Sequence, residues 1–477
     1  MHQTDRKIPQ VTSDGIQEAS ASRAAPDRVA VTTCRRSLAR QLDTYLDSFG
    51  QSWGDAYRFS GAVLVAEGDD WVYARGFGPG SSEYGVDTTF RIGSVTKQFT
   101  AAAILVLVQQ KRLSLEGTVG EYLPWYRGPA SSVSLHALLS HTGGVPEYND
   151  APAFRASRAK PRTPRELVNL FSKEALDFEP GTEFRYSNAG YVLLGAILEE
   201  VTGLSYAQVL QWYLLTPAGM TDTGTGDDVG GAVRAAGFKV VANQRVPAEL
   251  IALENAYAAG GLRSTLRDLW RWDHALRQGK LLDHERLALF FTTVQESYAY
   301  GWRVFETPLG RVAAHDGGID GFVTSYARGL DQDFMIAAWS NTDLQQPPQI
   351  LAAALDLLIG KPVQTRDELP EGTFNSRTAS RYLGTYGLPR EEVLRLKARG
   401  LSPQALKALE QVQVLALTDC LVFRRLDRDD VYLFASHDGG YFSKKAPLMR
   451  VRFVRGRAGG VQLRIQQGKA HAVLVRH

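Results

Sequence analysis

The sequence predicts an α/β domain followed by a small antiparallel β-barrel. Two patterns predict this. Up to about residue 360, helical and strand patterns alternate, which is typical of a sheet covered by helices. After residue 378, short strand patterns recur with turn residues between them, which favours a barrel. The chain has 477 residues, 44% apolar and 22% charged, and this composition is that of an ordinary globular protein with a sizeable core.

The length predicts more than one domain, and the patterns divide the chain into four segments. We expect a flexible N-terminal tail over 1–37, a main domain over 38–360, a linker over 361–377 and a basic barrel domain over 378–477. The linker is expected because Gly360 to Ser376 is polar and contains two prolines.

The main domain is expected to begin with a helix and a hairpin. A long segment without Gly or Pro then predicts a buried helix with a basic end, and a segment rich in Pro and Arg predicts a surface excursion. In chain order the predicted elements are a helix over 37–48, strands over 61–66 and 71–75, a helix over 94–112, the excursion over 151–165, helices over 189–202 and 266–277, strands over 300–305, 311–314, 322–327 and 334–339, and a helix over 349–359.

The barrel domain is expected to consist almost only of strands. They are predicted over 382–386, 393–397, 412–417, 421–425, 431–435, 449–454, 461–465 and 472–475.

Several features limit where the protein can reside. The longest dense apolar stretch, 101–108, is far shorter than the ~20 residues that a membrane-spanning helix needs. Residues 1–28 are polar and lack the apolar core of a secretory signal. We therefore expect either a cytoplasmic protein or a chain that begins after a removed leader. Cys34 and Cys420 can form at most one disulfide and cannot form a zinc site by themselves, so they leave the redox compartment open.

The net charge of +3 is unevenly distributed. Residues 378–477 hold 18 Lys and Arg against 8 Asp and Glu, whereas the rest of the chain holds 36 against 43. Contact between the barrel domain and an anionic surface is one interpretation. The stronger one is a half-buried strand with a solvated face, because the arginines in 449–453 alternate with apolar residues. No nucleic-acid partner is expected, since no RNA- or DNA-binding motif accompanies the charge.

The first motif with chemical meaning is Ser94-Val95-Thr96-Lys97, at the start of the predicted buried helix. The sequence contains no GxSxG, phosphate-loop, HExxH or GxGxxG motif. Because three residues make about one helical turn, Ser94 and Lys97 lie on one face. In an apolar setting the lysine can lose its proton and accept one from the serine hydroxyl. A second copy, 157–160, lies in the surface excursion and is expected to be a solvated loop.

The second motif is Tyr186-Ser187-Asn188, just before a predicted helix. Two interpretations are open. Asn188 suits an N-cap, with Tyr186 as a packing aromatic. Alternatively, a tyrosine oxygen beside a lysine can transfer protons, and an asparagine amide can bind a substrate carbonyl.

The third motif is His315-Asp316-Gly317-Gly318, which follows a predicted short strand. Its glycines let the backbone approach a ligand and expose N–H groups for an oxyanion. The same four residue types recur at 437–440, where Asp-Gly between strands is ordinary hairpin chemistry. A related sequence, 141–143, is expected to be a turn at the end of a helix that supports the site.

Taken in order, Ser94-x-x-Lys97, Tyr186-x-Asn188 and His315-x-Gly317 resemble the motifs of the serine β-lactamase and penicillin-binding-protein superfamily. The forms are most similar to the class C β-lactamase-like branch, with its esterases, D-amino-acid peptidases and D,D-carboxypeptidases. Flanking stretches that also resemble the family are 90–93, 138–144 and 260–265. The resemblance covers about residues 38–360 and implies an antiparallel sheet with helices on both faces plus an all-helical part. The barrel resembles the lipocalin-like domain of some members.

The resemblance also implies the role of each site residue. Ser94 would be the nucleophile, and Lys97 and Tyr186 the proton-transfer pair. Asn188 would bind a substrate amide, His315 would line the site on an edge strand, and the N–H groups of Ser94 and Gly318 would form the oxyanion hole. The family's chain order selects 315–318 over 437–440.

One departure from the family concerns charge. Class C β-lactamases have K-T-G where this chain has His315-Asp316-Gly317. Losing the lysine and adding a carboxylate is expected to weaken binding of anionic β-lactams, provided that Asp316 faces the cleft. Poor β-lactamase activity is therefore expected.

The sequence thus predicts a serine hydrolase that forms an acyl-enzyme on Ser94 and cleaves esters, amides or peptides. No metal or cofactor is expected, and the expected partner is a small-molecule or peptide substrate. Two alternatives are open. One is a penicillin-binding-like sensor with little turnover, and the other is an acyltransferase.

Overall fold

The structure, a computed structural model, describes most of the chain. The described residues are 28–78, 84–149, 151–226, 229, 233–241, 243–363, 372–398, 403–425, 428–444, 449–456, 460–467 and 470–477.

The main domain is built on a six-stranded antiparallel sheet of order β2-β1-β11-β10-β9-β8. Two smaller sheets, of order β3-β7-β4 and β5-β6, flank it. The strands are β1 Gly61–Glu67, β2 Asp70–Phe77, β3 Phe90–Arg91, β4 Gly224–Thr225, β5 Phe238–Val241, β6 Gln244–Pro247, β7 Leu262–Ser264, β8 Arg303–Thr307, β9 Gly310–Ile319, β10 Phe322–Gly329 and β11 Phe334–Ser340.

Helices cover both faces of this sheet and form a separate helical part. They are α1 Arg28–Trp53, α2 Thr96–Gln109, α3 Val119–Tyr122, α4 Leu135–Leu139, α5 Pro152–Arg155, α6 Pro164–Asn169, α7 Asn188–Thr202, α8 Tyr206–Leu210, α9 Thr216–Ala218, α10 Leu253–Gly260, α11 Leu266–Arg277, α12 His284–Phe290 and α13 Pro347–Leu358. A π-helix, Gln211–Leu215, joins α8 to α9, and four short 3₁₀ turns are Asp55–Tyr57, Gly93–Val95, Pro129–Ser132 and Ser380–Tyr382.

Successive side chains of each strand point to opposite faces, so the sheet separates two cores. On β9, Val312 belongs to the core shared with α1 and α13. Its neighbour Ala313 belongs to the larger core, which contains α2 and α7. Helix α2 is buried on almost every side, which explains why its sequence is apolar without a polar stripe. The functional motifs lie on the face of the larger core.

No single helix in the described part of the chain has the length and apolar composition of a membrane span. One bent pair, Asn188–Thr202 with Tyr206–Ala218, reaches that length and composition together, with an angle of 80° between its halves. Ten residues of α7 are buried, and eight of them belong to the larger core, as in the core helix of a globular domain.

The C-terminal region forms a closed eight-stranded antiparallel barrel, in agreement with the predicted fold class. Its strands are β12 Gly384–Gly387, β13 Val412–Ala416, β14 Leu421–Arg425, β15 Arg428–Ala435, β16 Tyr441–Phe442, β17 Met449–Arg455, β18 Val461–Gln467 and β19 Ala470–Arg476. The associated helices are α14 Ser376–Ala379, α15 Arg390–Ala398 and α16 Pro403–Glu410. Apolar side chains from the strands and from the last two helices fill the interior.

Three predictions for these elements were wrong. The strand predicted over 393–397 is part of α15, and α16 was not predicted. The first helix begins at Arg28, inside the segment predicted to be a tail. The alternation in 393–397 suited a strand, but Glu391 and Glu392 supply the acidic first turn of a helix, and Leu396 packs into the barrel core.

The barrel contacts the main domain through Lys444, which follows β16, and through Asp419, which accepts a hydrogen bond from Asn243 at 3.3 Å. The Lys444 ammonium lies 4.4 Å from the ring centre of Phe434 and 5.4 Å from that of Tyr57 in the main domain. Cys420 is a free thiol buried with Phe434 and Phe442, and burial raises its pKa to about 12. On β17 and β18, Arg452 lies directly opposite Arg464. Contact of this basic surface with an anionic partner stays a prediction.

Candidate active site

Ser94 lies in a 3₁₀ turn, Gly93–Val95, that leads directly into α2. One turn later, Lys97 points back so that its Nζ lies 3.2 Å from Ser94 Oγ. Gly93 has a φ of +51°, and a Cβ there would lie 2.9 Å from the Gly318 nitrogen on β9. Glycine is therefore required where this turn meets the strand. The local spacing predicted from the sequence and the close approach to β9 together position the serine.

Lys97 is completely buried, and its Nζ has three neighbours at hydrogen-bond distance. Besides Ser94, Nζ donates to Asn188 Oδ1 at 2.7 Å and to the Ala259 carbonyl at 2.7 Å. Burial lowers the pKa of Lys97 to about 7, while the nearby Glu147 opposes that shift. The two carbonyl oxygens can only accept hydrogen bonds. A neutral Lys97 amine therefore donates both of its N–H groups to these two oxygens and directs its lone pair at Ser94.

Tyr186 lies in the segment before α7, with its ring centre 4.7 Å from Lys97 Nζ. Its Oη is buried and has no hydrogen-bond partner of good geometry among the described residues. Burial raises the pKa of Tyr186, and the neighbouring Ser94 hydroxyl partly opposes this. The phenol is therefore protonated at neutral pH, which suits a proton donor better than a base.

Asn188 is the first residue of α7, and Ser187 occupies the N-cap position. The N-cap interpretation of Asn188 was therefore wrong. The Asn188 side chain instead joins two site residues, because Oδ1 accepts from Lys97 and Nδ2 donates to Glu147 Oε2 at 3.0 Å.

His315 is buried on β9 and faces the larger core. Its Nδ1 lies 2.6 Å from the Asp316 carbonyl, and its Nε2 lies 3.0 Å from Tyr298 Oη. Since a carbonyl only accepts, Nδ1 carries the proton and Nε2 accepts from Tyr298. Burial lowers the pKa of His315 to about 3, with a smaller contribution from the Lys97 charge. The imidazole is therefore neutral.

The residues 315–318 form part of β9, which continues beyond the short strand predicted over 311–314. Strand β8 pairs with Gly310 to Ala314, so within the described part of the chain no strand pairs with the outer edge of 315–318. Ile319 and Phe322 flank a two-residue turn, and the resulting register directs the Gly318 N–H away from β10. That N–H faces the edge on which the Ser94 turn lies. The geometry suits an oxyanion site made from the Ser94 and Gly318 N–H groups.

Gly317 allows this approach. A Cβ at Gly317 would lie 2.1 Å from the Ile92 carbonyl oxygen and 2.2 Å from Thr324 Oγ1. A Cβ at Gly318 would meet nothing within 4 Å. The two glycines therefore have different roles. Gly317 lets β9 contact the Ser94 turn, and Gly318 borders open space.

Asp316 does not share the face of His315. The alternation of β9 places its side chain on the other face, where the Ser325 hydroxyl donates to Asp316 Oδ1. Its carboxylate therefore does not point toward Lys97, and the condition that Asp316 faces the cleft is not met. The argument for weak binding of anionic substrates then depends only on the absence of a lysine at position 315.

His141 supports the second motif, as expected for a turn after α4. It has a φ of +59°, and its Nδ1 accepts a hydrogen bond from the Ser187 N–H at 3.2 Å. Its ring centre lies 4.2 Å from that of Tyr186. Burial holds the pKa of His141 well below its usual value, so it is a neutral packing and hydrogen-bonding group.

The two competing motif copies lie elsewhere. Ser157 Oγ accepts from Arg162 at 2.6 Å, and Lys160 is exposed, as expected for a solvated loop. The segment 437–440 is the turn between β15 and β16, closed by the Ser436 N–H and the Gly440 carbonyl at 2.9 Å.

Four groups of the site were missed by sequence reasoning. Glu147 holds Asn188, the Ala259 carbonyl binds Lys97, and Tyr298 fixes the His315 tautomer. The Arg303 guanidinium lies 5.6 Å from the Tyr298 ring centre and so places a cation near the site. Among the described residues, no group of three or more His, Cys, Asp or Glu is arranged to hold a metal ion.

The site thus pairs a serine with a buried lysine instead of a histidine, between a helical part and an antiparallel sheet, an arrangement that is typical of one class of folds. Residues 38–361 match the family model described as Beta-lactamase. The chain therefore belongs to the β-lactamase family, in the serine β-lactamase and penicillin-binding-protein superfamily.

Individual relatives agree with this assignment. Penicillin-binding protein 4* of Bacillus subtilis is 29% identical over 373 residues, which cover 72% of this chain and 82% of the relative. The structure of a D-stereospecific amidohydrolase from Streptomyces sp. is 27% identical and has a TM-score of 0.58, covering 66% of this chain and 98% of that one. An octameric penicillin-binding protein homologue from Pyrococcus abyssi shares the fold over 94% of this chain and 100% of its own, with a TM-score of 0.57 at 23% identity.

Proposed function

We propose that this protein hydrolyses esters or amide and peptide bonds through an acyl-enzyme on Ser94. One observation carries the proposal: a completely buried Lys97, with a pKa lowered to about 7, lies 3.2 Å from Ser94 Oγ. A base whose pKa is close to the working pH is present in its neutral form and still accepts a proton effectively.

In the proposed acylation, Lys97 takes the hydroxyl proton while Ser94 Oγ attacks the substrate carbonyl carbon. The N–H groups of Ser94 and Gly318 receive the developing oxyanion. Tyr186 then donates its proton to the departing oxygen or nitrogen, and the Lys97 ammonium returns a proton to Tyr186. Both groups are then reset for deacylation. Lys97 takes a proton from a water molecule whose oxygen attacks the acyl carbon, the bond from that carbon to Ser94 Oγ breaks, and the Lys97 ammonium returns the proton to Oγ.

Two features support a substrate class. The similarity to a D-stereospecific amidohydrolase and to a penicillin-binding protein favours amides or peptides of D-amino acids, besides simple esters. The neutral His315 replaces the lysine of the K-T-G motif. We therefore propose that anionic β-lactams are poor substrates, because the cation that would attract their carboxylate is missing at this position.

The test is intact-protein mass spectrometry after incubation with p-nitrophenyl acetate and, separately, with benzylpenicillin. Ser94→Ala removes the proposed nucleophile. Ser157→Ala is the matched control, since it changes the serine of the second S-x-x-K copy. We expect an acetyl adduct on the wild type and on S157A that decays with time, no adduct on S94A, and slower reaction with penicillin.

The other outcomes separate the alternatives. An adduct that does not decay supports a penicillin-binding-like sensor. An adduct that decays faster with an added amine, giving the amide product, supports an acyltransferase. Penicillin turnover as fast as that of the ester contradicts the charge argument, and a wild type without any adduct refutes the proposed function.

A further inference from the structure

Glu147 lies beside the site on the loop that follows α4, and its carboxylate is held in place by three donors. Oε2 accepts from the Asn188 backbone N–H at 2.8 Å and from Asn188 Nδ2 at 3.0 Å. Oε1 accepts from the Asn149 N–H at 3.0 Å. Since Asn188 begins α7, the carboxylate also lies at the N-terminus of a 15-residue helix, where negative charge is stabilised.

These contacts determine which end of the Asn188 amide faces Lys97. An asparagine amide has an acceptor end and a donor end of nearly equal shape, and a half-turn exchanges them. A carboxylate only accepts, so Nδ2 must face Glu147. Oδ1 must then face Lys97, at the observed 2.7 Å.

The orientation matters for the base. With Oδ1 toward it, the neutral Lys97 amine donates to Asn188 and to the Ala259 carbonyl, and its lone pair is left for the Ser94 hydroxyl. With the amide turned round, Nδ2 would donate into that lone pair, and Lys97 would be occupied as an acceptor. Oδ1 would also face the Glu147 carboxylate, acceptor against acceptor.

We propose that Glu147 is a positioning residue, which locks the Asn188 amide so that the Lys97 lone pair is directed at Ser94. This inference rests on the proposed function, because it assumes that Lys97 is the base. Glu147 itself touches neither Ser94 nor, by this proposal, the reacting atoms.

The Glu147 charge has a second, measurable effect. It raises the pKa of Lys97, against the larger effect of burial. Other groups around Lys97 are the buried, neutral His141 and His315, and the rings of Tyr186 and Tyr191. Arg303 acts on the two histidines from β8. None of the groups named here supplies a second negative charge at neutral pH, so removing that of Glu147 must lower the pKa of Lys97.

Two variants separate the effect of Glu147 on the orientation of the Asn188 amide from the effect of its charge. In Glu147→Gln the amide oxygen can still accept from both Asn188 donors, but the negative charge is lost, and so is the acceptor for the Asn149 N–H. In Glu147→Ala the charge and all of these acceptors are lost. The control is Glu183→Gln, which makes the same charge change on an exposed residue three positions before Tyr186. The measurement is the rate of acylation of Ser94 by p-nitrophenyl acetate between about pH 5 and pH 9, with pKa values read from the profile.

For E147Q we expect an acidic limb about half to one pH unit lower, with the plateau rate within about threefold of wild type. For E147A we expect the same shift and a plateau rate that is at most about one tenth of the wild-type rate, because the Asn188 amide is free to turn. E183Q should match the wild type.

Three results would overturn the proposal: an acidic limb that stays in place in both variants, a full plateau rate in E147A, or variants that lose only thermal stability. If E147Q raises KM only for substrates with a free amino group and leaves the limb unmoved, Glu147 binds substrate and the proposal is again wrong. Failure of the proposed function itself looks different, since the wild type would then form no Ser94 adduct at all.

Discussion

Replacing Gly317 with alanine tests how closely β9 must approach the nucleophile. The new Cβ would lie 2.1 Å from the Ile92 carbonyl oxygen, which is backbone and cannot rotate away. It would also lie 2.2 Å from Thr324 Oγ1, the hydroxyl that donates to that same carbonyl at 2.9 Å. The strand must therefore move away from the segment that carries Ser94.

The size of the effect follows from the distances. Restoring ordinary van der Waals contact requires β9 to shift by about 1 Å, and a displacement of that size in a site costs about 10²-fold in rate. Since the Gly318 N–H shifts with the strand, the oxyanion loses one of its two proposed donors, which by itself costs about 10²- to 10³-fold. We expect acylation of Gly317→Ala to be about 10²-fold slower, with the overpacked contact costing about 1–3 kcal/mol of unfolding free energy.

The matched control is Gly318→Ala, where the added Cβ meets nothing within 4 Å. Both variants would be compared for acylation by p-nitrophenyl acetate and for unfolding in urea, so that a misfolded protein is not mistaken for a slow one. Gly318→Ala should unfold like the wild type. Unchanged acylation in Gly317→Ala, or equal destabilisation of both variants, would refute the reasoning.

Three further predictions follow from buried groups. Acylation should slow about tenfold for each pH unit below about 7, since the protonated form of Lys97 cannot accept a proton; stopped-flow rates that stay constant down to about pH 5 would contradict this. Tyr298→Phe removes the donor to His315 Nε2 and should cost about 1–3 kcal/mol in urea unfolding; no loss would mean that His315 has another donor. Asp273→Ala should cost about 3–5 kcal/mol, because it leaves the buried Arg328 without the carboxylate that faces it and leaves Arg277 with the Asp333 carboxylate alone. Asp55→Ala, which breaks an exposed ion pair, should cost less than about 1 kcal/mol, and equal losses would refute the distinction.

The sequence predicted best those elements whose signals are local. Helix α11 was predicted with its observed limits, because Thr265 caps it and its apolar residues recur with helical spacing. The strand predicted over 311–314 stopped short of 315–318, where Asp-Gly-Gly has turn composition. The observed strand continues because 315–318 pairs with β10, and its close approach to Ile92, more than two hundred residues away, requires a glycine at 317. No local pattern records such a contact.

The same division holds for the site. Helical spacing within an apolar segment predicts the pair Ser94 and Lys97, whereas joining them to Tyr186, Asn188 and His315 required the order of a known family. Glu147 had no signal, because it is one of 51 acidic residues in the chain. The Ala259 carbonyl could not be found from residue types at all, since every residue has a backbone carbonyl.

Burial affects the pKa values of this site more than neighbouring charges do. This gives a physical reason for a histidine at position 315. Desolvation lowers the pKa of Lys97 to about 7 and that of His315 to about 3. A lysine at 315 would add a second ammonium near the first, and the repulsion between them would depend on exposure to solvent or on another carboxylate for relief. A neutral imidazole, fixed by Tyr298 and the Asp316 carbonyl, fills the same place without that repulsion. If Lys97 is the base, as the proposed function requires, its pKa stays near neutral pH in the absence of a second ammonium at position 315, and we expect the best substrates to be those whose binding does not depend on a cation there.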